Sequence, residues 1–250
     1  MARFGWLMVT SVEFTEKADI ETSSDEYAQR FSTKVGKWFL QVQEEATLRM
    51  LAPYPGATIL DVGGGHGQIT DALVRENFDV TVVGSAEVCR TRIQRYVDTR
   101  RIAFETADFL RLPYPDQSFG VVISYRLLPH VTHWELFLAE LARVAQKAVL
   151  VDFPEPATIS SLTPYLYGLK RGGSARTFTS FHRSELVRVF REHGFIYGGH
   201  FAEFFVPLVI NRTFQSPVVS KVMEGVSRGI GLTRRYGSPI ILKLIREGRE

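Results

Sequence analysis

From Ala57 onward, short apolar runs alternate with amphipathic segments, and this alternation restricts the fold more than any other feature of the chain. Such a rhythm is typical of βαβ units, which place parallel strands side by side in a sheet covered by helices. The sequence predicts strands at residues 58–62, 80–83, 102–106, 121–124, 148–152, 195–206 and 239–244. We therefore expect an α/β fold with a doubly wound, seven-stranded and mostly parallel sheet.

Hydrophobic periodicity predicts the helices that connect these strands. The clearest helix is 134–145, where Trp134, Phe137, Leu138 and Leu141 share one face. The remaining connecting helices are predicted at 68–75, 87–97, 184–193 and 218–229. Gly194 is expected to end the helix before it as a C-cap residue.

A helical leader is predicted before the first strand. Ser23 and Glu26 have the spacing of a capping box. Apolar residues then follow at helical intervals up to the turn at 53–56, with an interruption expected near Gly36. We divide the chain, taken as one domain over 1–250, into this leader or lid (1–52), a cofactor-binding core (57–153) and an acceptor-side region with the terminal strands (154–250).

Composition excludes several classes of protein. The single cysteine, Cys89, allows neither an internal disulfide nor a zinc site built on paired thiolates. The longest apolar runs are far shorter than the 18 or so residues that a membrane span needs. A net charge of +3 comes from arginines spread along the chain. We therefore expect a cytoplasmic protein, monomeric or homodimeric, with no membrane span and no nucleic-acid partner.

The run 59–68, which reads ILDVGGGHGQ, combines a buried strand, an acidic residue and a glycine loop that opens a helix. Glycines permit positive φ and let backbone N–H groups approach a ligand closely. In an open α/β sheet, ligands bind at the carboxyl ends of the strands. A dinucleotide fingerprint would need its third glycine at position 68, which is Gln68. A purely structural turn is the alternative interpretation.

The spacing that fits is D-x-G-x-G-x-G through Asp61, Gly63, Gly65 and Gly67. This pattern resembles motif I of the class I S-adenosylmethionine-dependent methyltransferases. The run 107–122, ADFLRLPYPDQSFGVV, is similar to the segment after strand three in their ubiquinone and menaquinone C-methyltransferase subgroup, and 123–131 and 140–144 match that subgroup as well. The resemblance covers about residues 57–153 and implies the Rossmann-like methyltransferase fold, whose last strand is antiparallel.

The resemblance implies a set of cofactor contacts for S-adenosyl-L-methionine. An acid at the strand tip supplies the charge that the ammonium end of the cofactor needs. Asp108 is implied as the partner of the adenine amino group, with a neighbouring backbone N–H at Phe109. The predicted cofactor-binding residues are Asp61, Gly63, Gly64, Gly65, Gly67, Gln68, Ser85, Asp108, Phe109, Ser124 and Tyr125, with Tyr27 as an aromatic lid.

Two features depart from the family pattern. Strand two usually ends with an acid that binds both ribose hydroxyls, but Gly84 and Ser85 stand there, which leaves ribose binding to Ser85 or to Glu87. The family's Pro-Gly-Gly turn before strand five is also missing, which changes a turn rather than the chemistry.

Methyl transfer from a sulfonium is an in-line displacement, so the protein mainly supplies alignment and a dry site. His130 is the candidate general base, with a cap or a surface position as the alternative. The predicted acceptor contacts are Arg126, His133, Arg30 and Arg176. No carboxylates follow strand four, so no metal is expected. The expected acceptor is a small organic molecule, methylated at oxygen or carbon.

Three other functions remain open from the sequence. The weakened ribose site suits a non-catalytic S-adenosylmethionine-binding protein. Arginines between 90 and 101 suit an RNA methyltransferase, whose RNA binding would depend strongly on salt. A nicotinamide-dependent oxidoreductase is opposed by the glycine spacing.

Overall fold

The predicted strands assemble into one seven-stranded sheet with the order β3-β2-β1-β4-β5-β7-β6. The computed structural model describes residues 16–156, 178–207 and 216–248. The strands are β1 (Thr58–Val62), β2 (Asp79–Gly84), β3 (Ile102–Thr106), β4 (Phe119–Ser124), β5 (Ala145–Phe153), β6 (Phe195–Ala202) and β7 (Ile240–Arg246). Strands β1 to β5 are mutually parallel, and β7 runs antiparallel to both β5 and β6. The predicted fold class is confirmed.

Helices cover both faces of the sheet. They are α1 (Asp19–Thr22), α2 (Asp25–Gln29), α3 (Lys34–Leu51), α4 (Thr70–Arg75), α5 (Gln94–Asp98), α6 (Trp134–Val144), α7 (Arg183–Glu192), α8 (Pro217–Gly229) and α9 (Leu232–Tyr236). Alternate residues of β1 point to opposite faces: Leu60 joins the core cluster that holds α6 and α7, and Ile59 joins the cluster that holds α4. Both of these strand residues are fully buried, as expected for a sheet covered on both sides.

The pairing of the strands places the carboxyl ends of several strands at a single edge of the sheet. Phe153 at the end of β5 and Ala202 at the end of β6 both pair with Ile240 of β7. Strand β6 therefore ends at the same edge as β1, β2, β4 and β5. We call this the carboxyl edge of the sheet.

The leader differs from the prediction in where it breaks. The chain leaves the helix at 30–33 rather than near Gly36, and Thr33 caps α3 by accepting a hydrogen bond from the Gly36 N–H at 3.0 Å. A Cβ at Gly36 would lie 2.6 Å from the Cα of Phe31. This glycine therefore permits α3 to pack closely on the backbone of the segment that precedes it. The first cap also differs, because Ser24 rather than Ser23 accepts from the Tyr27 N–H.

The crossover predicted as one helix over 87–97 is also wrong in detail. It consists of a 3-10 turn at Glu87–Arg90 followed by the short helix α5. The bend packs Ile93 on Gly67, and it lays the Cys89 carbonyl against Gly65 so closely that a Cβ there would overlap it.

Two boundaries near the end of the chain also follow from tertiary contacts. Strand β6 ends at Ala202, before the predicted limit of 206, because the N–H groups of Phe205 and Val206 bond to the Glu224 carboxylate. Gly194 has φ +77°, as its predicted C-cap role requires.

Candidate functional site

The glycine loop at the end of β1 forms the centre of the carboxyl edge. Gly63 (φ 78°) and Gly67 (φ 70°) flank a 3-10 turn over Gly64–His66, and both adopt a left-handed conformation that favours glycine. A Cβ on Gly64 would overlap the carboxylate of Asp61. The loop therefore folds directly onto the acidic side chain that precedes it.

Asp61 is a fully buried carboxylate that has no hydrogen-bond partner among the described residues. It is 0% exposed, and neither of its oxygens accepts a hydrogen bond from any residue that the structure describes. Burial raises the pKa of Asp61 to about 7. Because an unpaired buried carboxylate is costly, its placement below the loop indicates a site for a cationic ligand group.

Further polar atoms without partners surround the same loop. Within the described ranges, the buried atoms of this kind next to the loop are Ser23 Oγ, His66 Nε2, Gln68 Oε1, Thr70 Oγ1 and Arg126 Nε. His66 accepts a hydrogen bond at Nδ1 from the Gln68 N–H at 3.1 Å. Burial and the charge of Arg126 lower the pKa of His66 to about 3, so the ring is neutral and carries its proton on Nε2. Native proteins rarely leave so many buried groups unpaired in one place unless a ligand satisfies them.

The leader crosses this edge and binds to it through two carboxylates. Asp19 of α1 is 0% exposed and accepts from the N–H of Ser85 at 2.8 Å and from its hydroxyl at 2.5 Å. Glu16 accepts from the N–H groups of Thr132 at 2.9 Å and His133 at 3.0 Å. The segment from 16 to 23 therefore extends from the loop after β4 to the end of β2. We call it the leader strap.

The strap brings a carboxylate to a position where the sequence lacks one. Ser85 follows the last residue of β2, and the Asp19 carboxylate lies on it. Glu87, the other candidate for this place, forms an exposed ion pair with Arg90 at 3.0 Å instead.

Arg126 lies two residues after β4 and is held in a left-handed conformation, with φ 60°. Its N–H donates to Asp152 at 2.5 Å, and its guanidinium donates to Gln43 at 3.3 Å and to the Tyr27 hydroxyl at 3.4 Å. The guanidinium also stacks over the Phe31 ring, 4.5 Å from its centroid. The predicted residues Tyr27 and Arg126 are thus brought together, with the tyrosine hydroxyl on the arginine.

Two buried carboxyl groups accompany Arg126. The Gln43 amide donates to Asp152 of β5 at 3.3 Å and to Glu203, which follows β6, at 3.2 Å. Burial raises the pKa of Glu203 to about 8, and burial also raises the pKa of Asp152 against the opposing effect of Arg126. We call Gln43, Arg126, Asp152 and Glu203 the polar cluster. Near neutral pH it contains a carboxyl group able to hold or release a proton.

The other predicted cofactor residues lie on or near the edge with their side chains already bonded. The Ser124 hydroxyl donates to the Val62 carbonyl at 2.9 Å, and the buried Tyr125 hydroxyl lies 2.9 Å from that of Thr47. Asp108 accepts from the Leu110 N–H at 3.0 Å, which leaves its second oxygen for a ligand. Phe109 is fully buried against Phe137, so only its backbone is available to a cofactor.

The candidate base and the remaining acceptor contacts are more dispersed. His130 ends a 3-10 turn after Arg126, and its ring packs edge-on to Phe178 at 5.6 Å. His133 is half exposed and lies 3.3 Å from Glu16. Arg30 is exposed, stacks on Tyr27 and pairs with Glu21 at 3.4 Å. Arg176 lies outside the described residues.

A cavity of about 450 Å³ opens between the leader and the glycine loop. Phe31, His66, Gln68 and Arg92 are among its lining residues. The cavity therefore gives a ligand access to the loop. In the described part of the chain, no helix is both long and apolar enough to cross a bilayer.

Known proteins resemble the region that contains the glycine loop and Arg126. Residues 60–151 match a methyltransferase domain family. This region is a class I methyltransferase domain. The family prediction and the predicted cofactor, S-adenosylmethionine, are thereby confirmed.

Individual relatives agree with this family. A 27-O-demethylrifamycin SV methyltransferase of Amycolatopsis mediterranei is 33% identical over 138 residues, which cover 47% of this chain and 50% of the relative. A demethylmenaquinone methyltransferase of Deinococcus radiodurans is 35% identical over 107 residues, 40% of this chain and 44% of the relative. The chain spans about half the length or less of these curated relatives.

Solved structures extend the likeness to nearly the whole fold. Magnesium protoporphyrin IX methyltransferase from Synechocystis PCC 6803, solved with bound SAH, superposes with a TM-score of 0.63 at 16% identity. The superposition covers 89% of this chain and 94% of that one. At this identity the similarity establishes the fold, and the function of the site depends on its own residues.

Sequence reasoning missed several groups around the methyltransferase domain. His66 had a weak signal, as a non-glycine residue inside the loop. Asp152 also had a weak signal, because it is an acid at the end of a predicted buried strand. Asp19, Gln43 and Glu203 carry no local signal, because only the tertiary fold brings the leader and the end of β6 to the carboxyl edge.

Proposed function

We propose that this chain is an S-adenosylmethionine-dependent methyltransferase that acts, without a metal ion, on oxygen or carbon of a small organic acceptor. One observation carries the proposal. The Asp61 carboxylate is fully buried beneath a glycine loop that has no room for a side chain at position 64, and no residue that the structure describes pairs with it. Such a site suits a ligand that carries two groups: a cationic amino group to pair with Asp61, and a carboxylate to accept from the backbone N–H groups of the loop.

The cofactor supplies an activated methyl group when it is bound. Ionised Asp61 would pair with the ammonium of its amino-acid end, and the N–H groups of the loop and the Nε2–H of His66 would donate to its carboxylate. Asp108, whose second oxygen is available, remains our candidate for the adenine amino group. The glycine loop has no room for a side chain at position 64, so its backbone is able to approach a ligand closely.

The leader strap supplies the carboxylate for the ribose hydroxyls. Asp19 accepts two hydrogen bonds from Ser85 and is also bonded by the Cys89 thiol, whereas a carboxylate has about four acceptor positions, so capacity remains for a ribose hydroxyl. The position is the end of β2, where the sequence itself provides no acid. The departure from the family pattern is compensated by a residue from another part of the chain.

The polar cluster is our candidate acceptor site. Arg126 provides a fixed positive charge for an acidic or electron-rich acceptor, and its contact with Tyr27 connects the leader to the site. Glu203, with a pKa of about 8, is able to take the proton that an acceptor hydroxyl or acidic carbon loses. His130 remains the alternative base, since it ends the turn that follows Arg126 along the chain.

Calorimetric titration with S-adenosylhomocysteine, followed by a methylation assay on a panel of phenols, enols and hydroxy acids, tests the proposal. We expect binding in the wild type, loss of binding in Asp61→Asn, and unchanged binding in Asp79→Asn, an exposed residue at the opposite end of β2. Binding without turnover over the whole panel would favour a non-catalytic protein, and binding of a nicotinamide cofactor instead would refute the proposal.

A further inference from the structure

Helix α8 has its apolar face in solvent and its polar face in the protein. Val218 is 70% exposed, Val222 and Val226 are each 61% exposed, and Ile230, just past the end of the helix, is 69% exposed. These residues are four positions apart, so they form one stripe along the helix. The buried face consists of Ser220, Glu224 and Ser227. This arrangement is the reverse of an ordinary surface helix.

The inward polar face fixes the orientation of α8. The Glu224 carboxylate accepts from the N–H groups of Phe205 and Val206, at 3.0 and 3.4 Å, and from the Thr233 hydroxyl at 2.5 Å. Rotating the helix to bury its valines would leave these groups unpaired, and each unpaired buried group weakens the folded state. The apolar stripe therefore stays outside, and nothing in the described part of the chain covers it.

The charges around the stripe have one sign. Between residues 216 and 236 the only acid is the buried Glu224. The exposed charged residues on α8 and α9 are Lys221, Arg228, Arg234 and Arg235. A partner for this surface must offer apolar material to the stripe and negative charge to its borders.

We propose that α8 and α9 dock on the surface of an anionic lipid membrane, with the stripe at the level of the acyl chains and the basic residues among the headgroups. Apolar residues on one face and basic residues at its border are typical of interfacial helices. A second copy of the chain fits poorly, because it would face these cations with its own. The stripe itself is made of aliphatic side chains, without the aromatic anchors that dominate binding to proteins.

The docking surface lies next to the polar cluster. Arg228 Nη2 donates to the backbone carbonyl of Glu203 at 2.8 Å, and its guanidinium stacks over the Phe201 ring at 4.6 Å. A docked protein would hold the carboxyl edge of its sheet beside the bilayer. At that place, acceptor molecules dissolved in the lipid would have the highest local concentration. This consequence for the acceptor rests on the proposed methyl transfer, whereas docking itself does not.

Vesicle flotation tests the docking. Full-length protein is mixed with vesicles of phosphatidylcholine alone or with about 30% phosphatidylglycerol, at low and high salt. We expect binding to the anionic vesicles only, weakened by salt. Lys221→Gln with Arg234→Gln should weaken binding roughly 30-fold, and Val222→Glu with Val226→Glu at least about tenfold.

Matched controls separate the surface from general effects. Arg100→Gln with Lys147→Gln removes two exposed cations elsewhere, and Leu136→Glu places an acid on an exposed apolar residue of α6; both should bind vesicles like the wild type. Circular dichroism checks that each variant is folded.

Three outcomes decide between the interpretations. Equal flotation of the valine variant and the wild type would overturn the docking proposal. So would a dimer, seen by sedimentation, that the valine variant dissociates. If the wild-type protein floats with anionic vesicles but does not bind S-adenosylhomocysteine, the proposed function is refuted and the docking proposal stands.

Discussion

Replacing Asp61 by asparagine removes a charge at constant size, and the structure predicts opposite effects on stability and on cofactor binding. The pKa of Asp61 is raised by burial from 3.8 to about 7. Between these values the folded protein keeps a proton that the unfolded chain has released, so the free energy of unfolding falls as pH rises. At about 1.4 kcal/mol per pKa unit, the raised pKa costs about 4–5 kcal/mol at pH 8 and about 1.5–2 kcal/mol at pH 5.

The amide that replaces the carboxyl group in Asp61→Asn would carry no such cost, because it does not ionise. Relative to the wild type, the variant should therefore gain about 3 kcal/mol more in the free energy of unfolding at pH 8 than at pH 5. For a chain of this size, that difference corresponds to roughly 6–12 °C in Tm. Thermal unfolding followed by circular dichroism at several pH values, without cofactor, measures it.

Cofactor affinity should change in the other direction. Titration with S-adenosylhomocysteine at pH 8 should be at least about 30-fold weaker in Asp61→Asn, because a buried charged partner is lost. The wild-type affinity should fall about tenfold per pH unit below 7, since the unliganded carboxyl must first lose its proton. The variant should lack this dependence. A stability difference that is the same at both pH values, or unchanged affinity, would refute our interpretation of Asp61.

Three further substitutions test other parts of the site. Gly64→Ala should lose S-adenosylhomocysteine binding and about 1–3 kcal/mol of stability, because its Cβ would overlap a carboxylate, whereas Gly225→Ala, with open space around it, should do neither. Glu203→Gln should lower kcat by about 10²-fold or more and abolish a rise in activity up to about pH 8, with cofactor affinity unchanged; an intact pH profile would contradict its role as base. Asp19→Asn should weaken binding of S-adenosylhomocysteine about tenfold but leave binding of its 2′,3′-dideoxyribose analogue unchanged, and equal losses for both ligands would indicate a structural role only.

The sequence predicted the sheet and the cofactor loop because their signals are local. The apolar run at 58–62 and the glycines after it are recognisable within a few residues of sequence, and both were placed correctly. The strand at 102–106 was likewise predicted with its true limits. The site residues implied by the family resemblance stay predictions until binding is measured.

The sequence could not predict features that depend on contacts between distant segments. The 87–97 crossover bends because Cys89 and Ile93 must fit under the glycine loop, a constraint absent from helical periodicity. Gly36 indicated a break, yet it serves close packing on Phe31. The polar cluster joins residues more than 100 positions apart, and no spacing along the chain encodes it.

The direction of β6 brings two distant parts of the sequence to one edge of the sheet. Because β6 runs parallel to β1 and β2, it delivers Glu203 to the edge at which the loop after β1 is proposed to hold the donor. The residues that we propose for the donor come from the first half of the chain, whereas Glu203, our candidate base, comes from the last quarter. Variation in the segment that links β6 to β7 is therefore expected to alter which molecule is modified while the donor residues stay intact, which makes that segment the natural region to exchange when engineering acceptor choice.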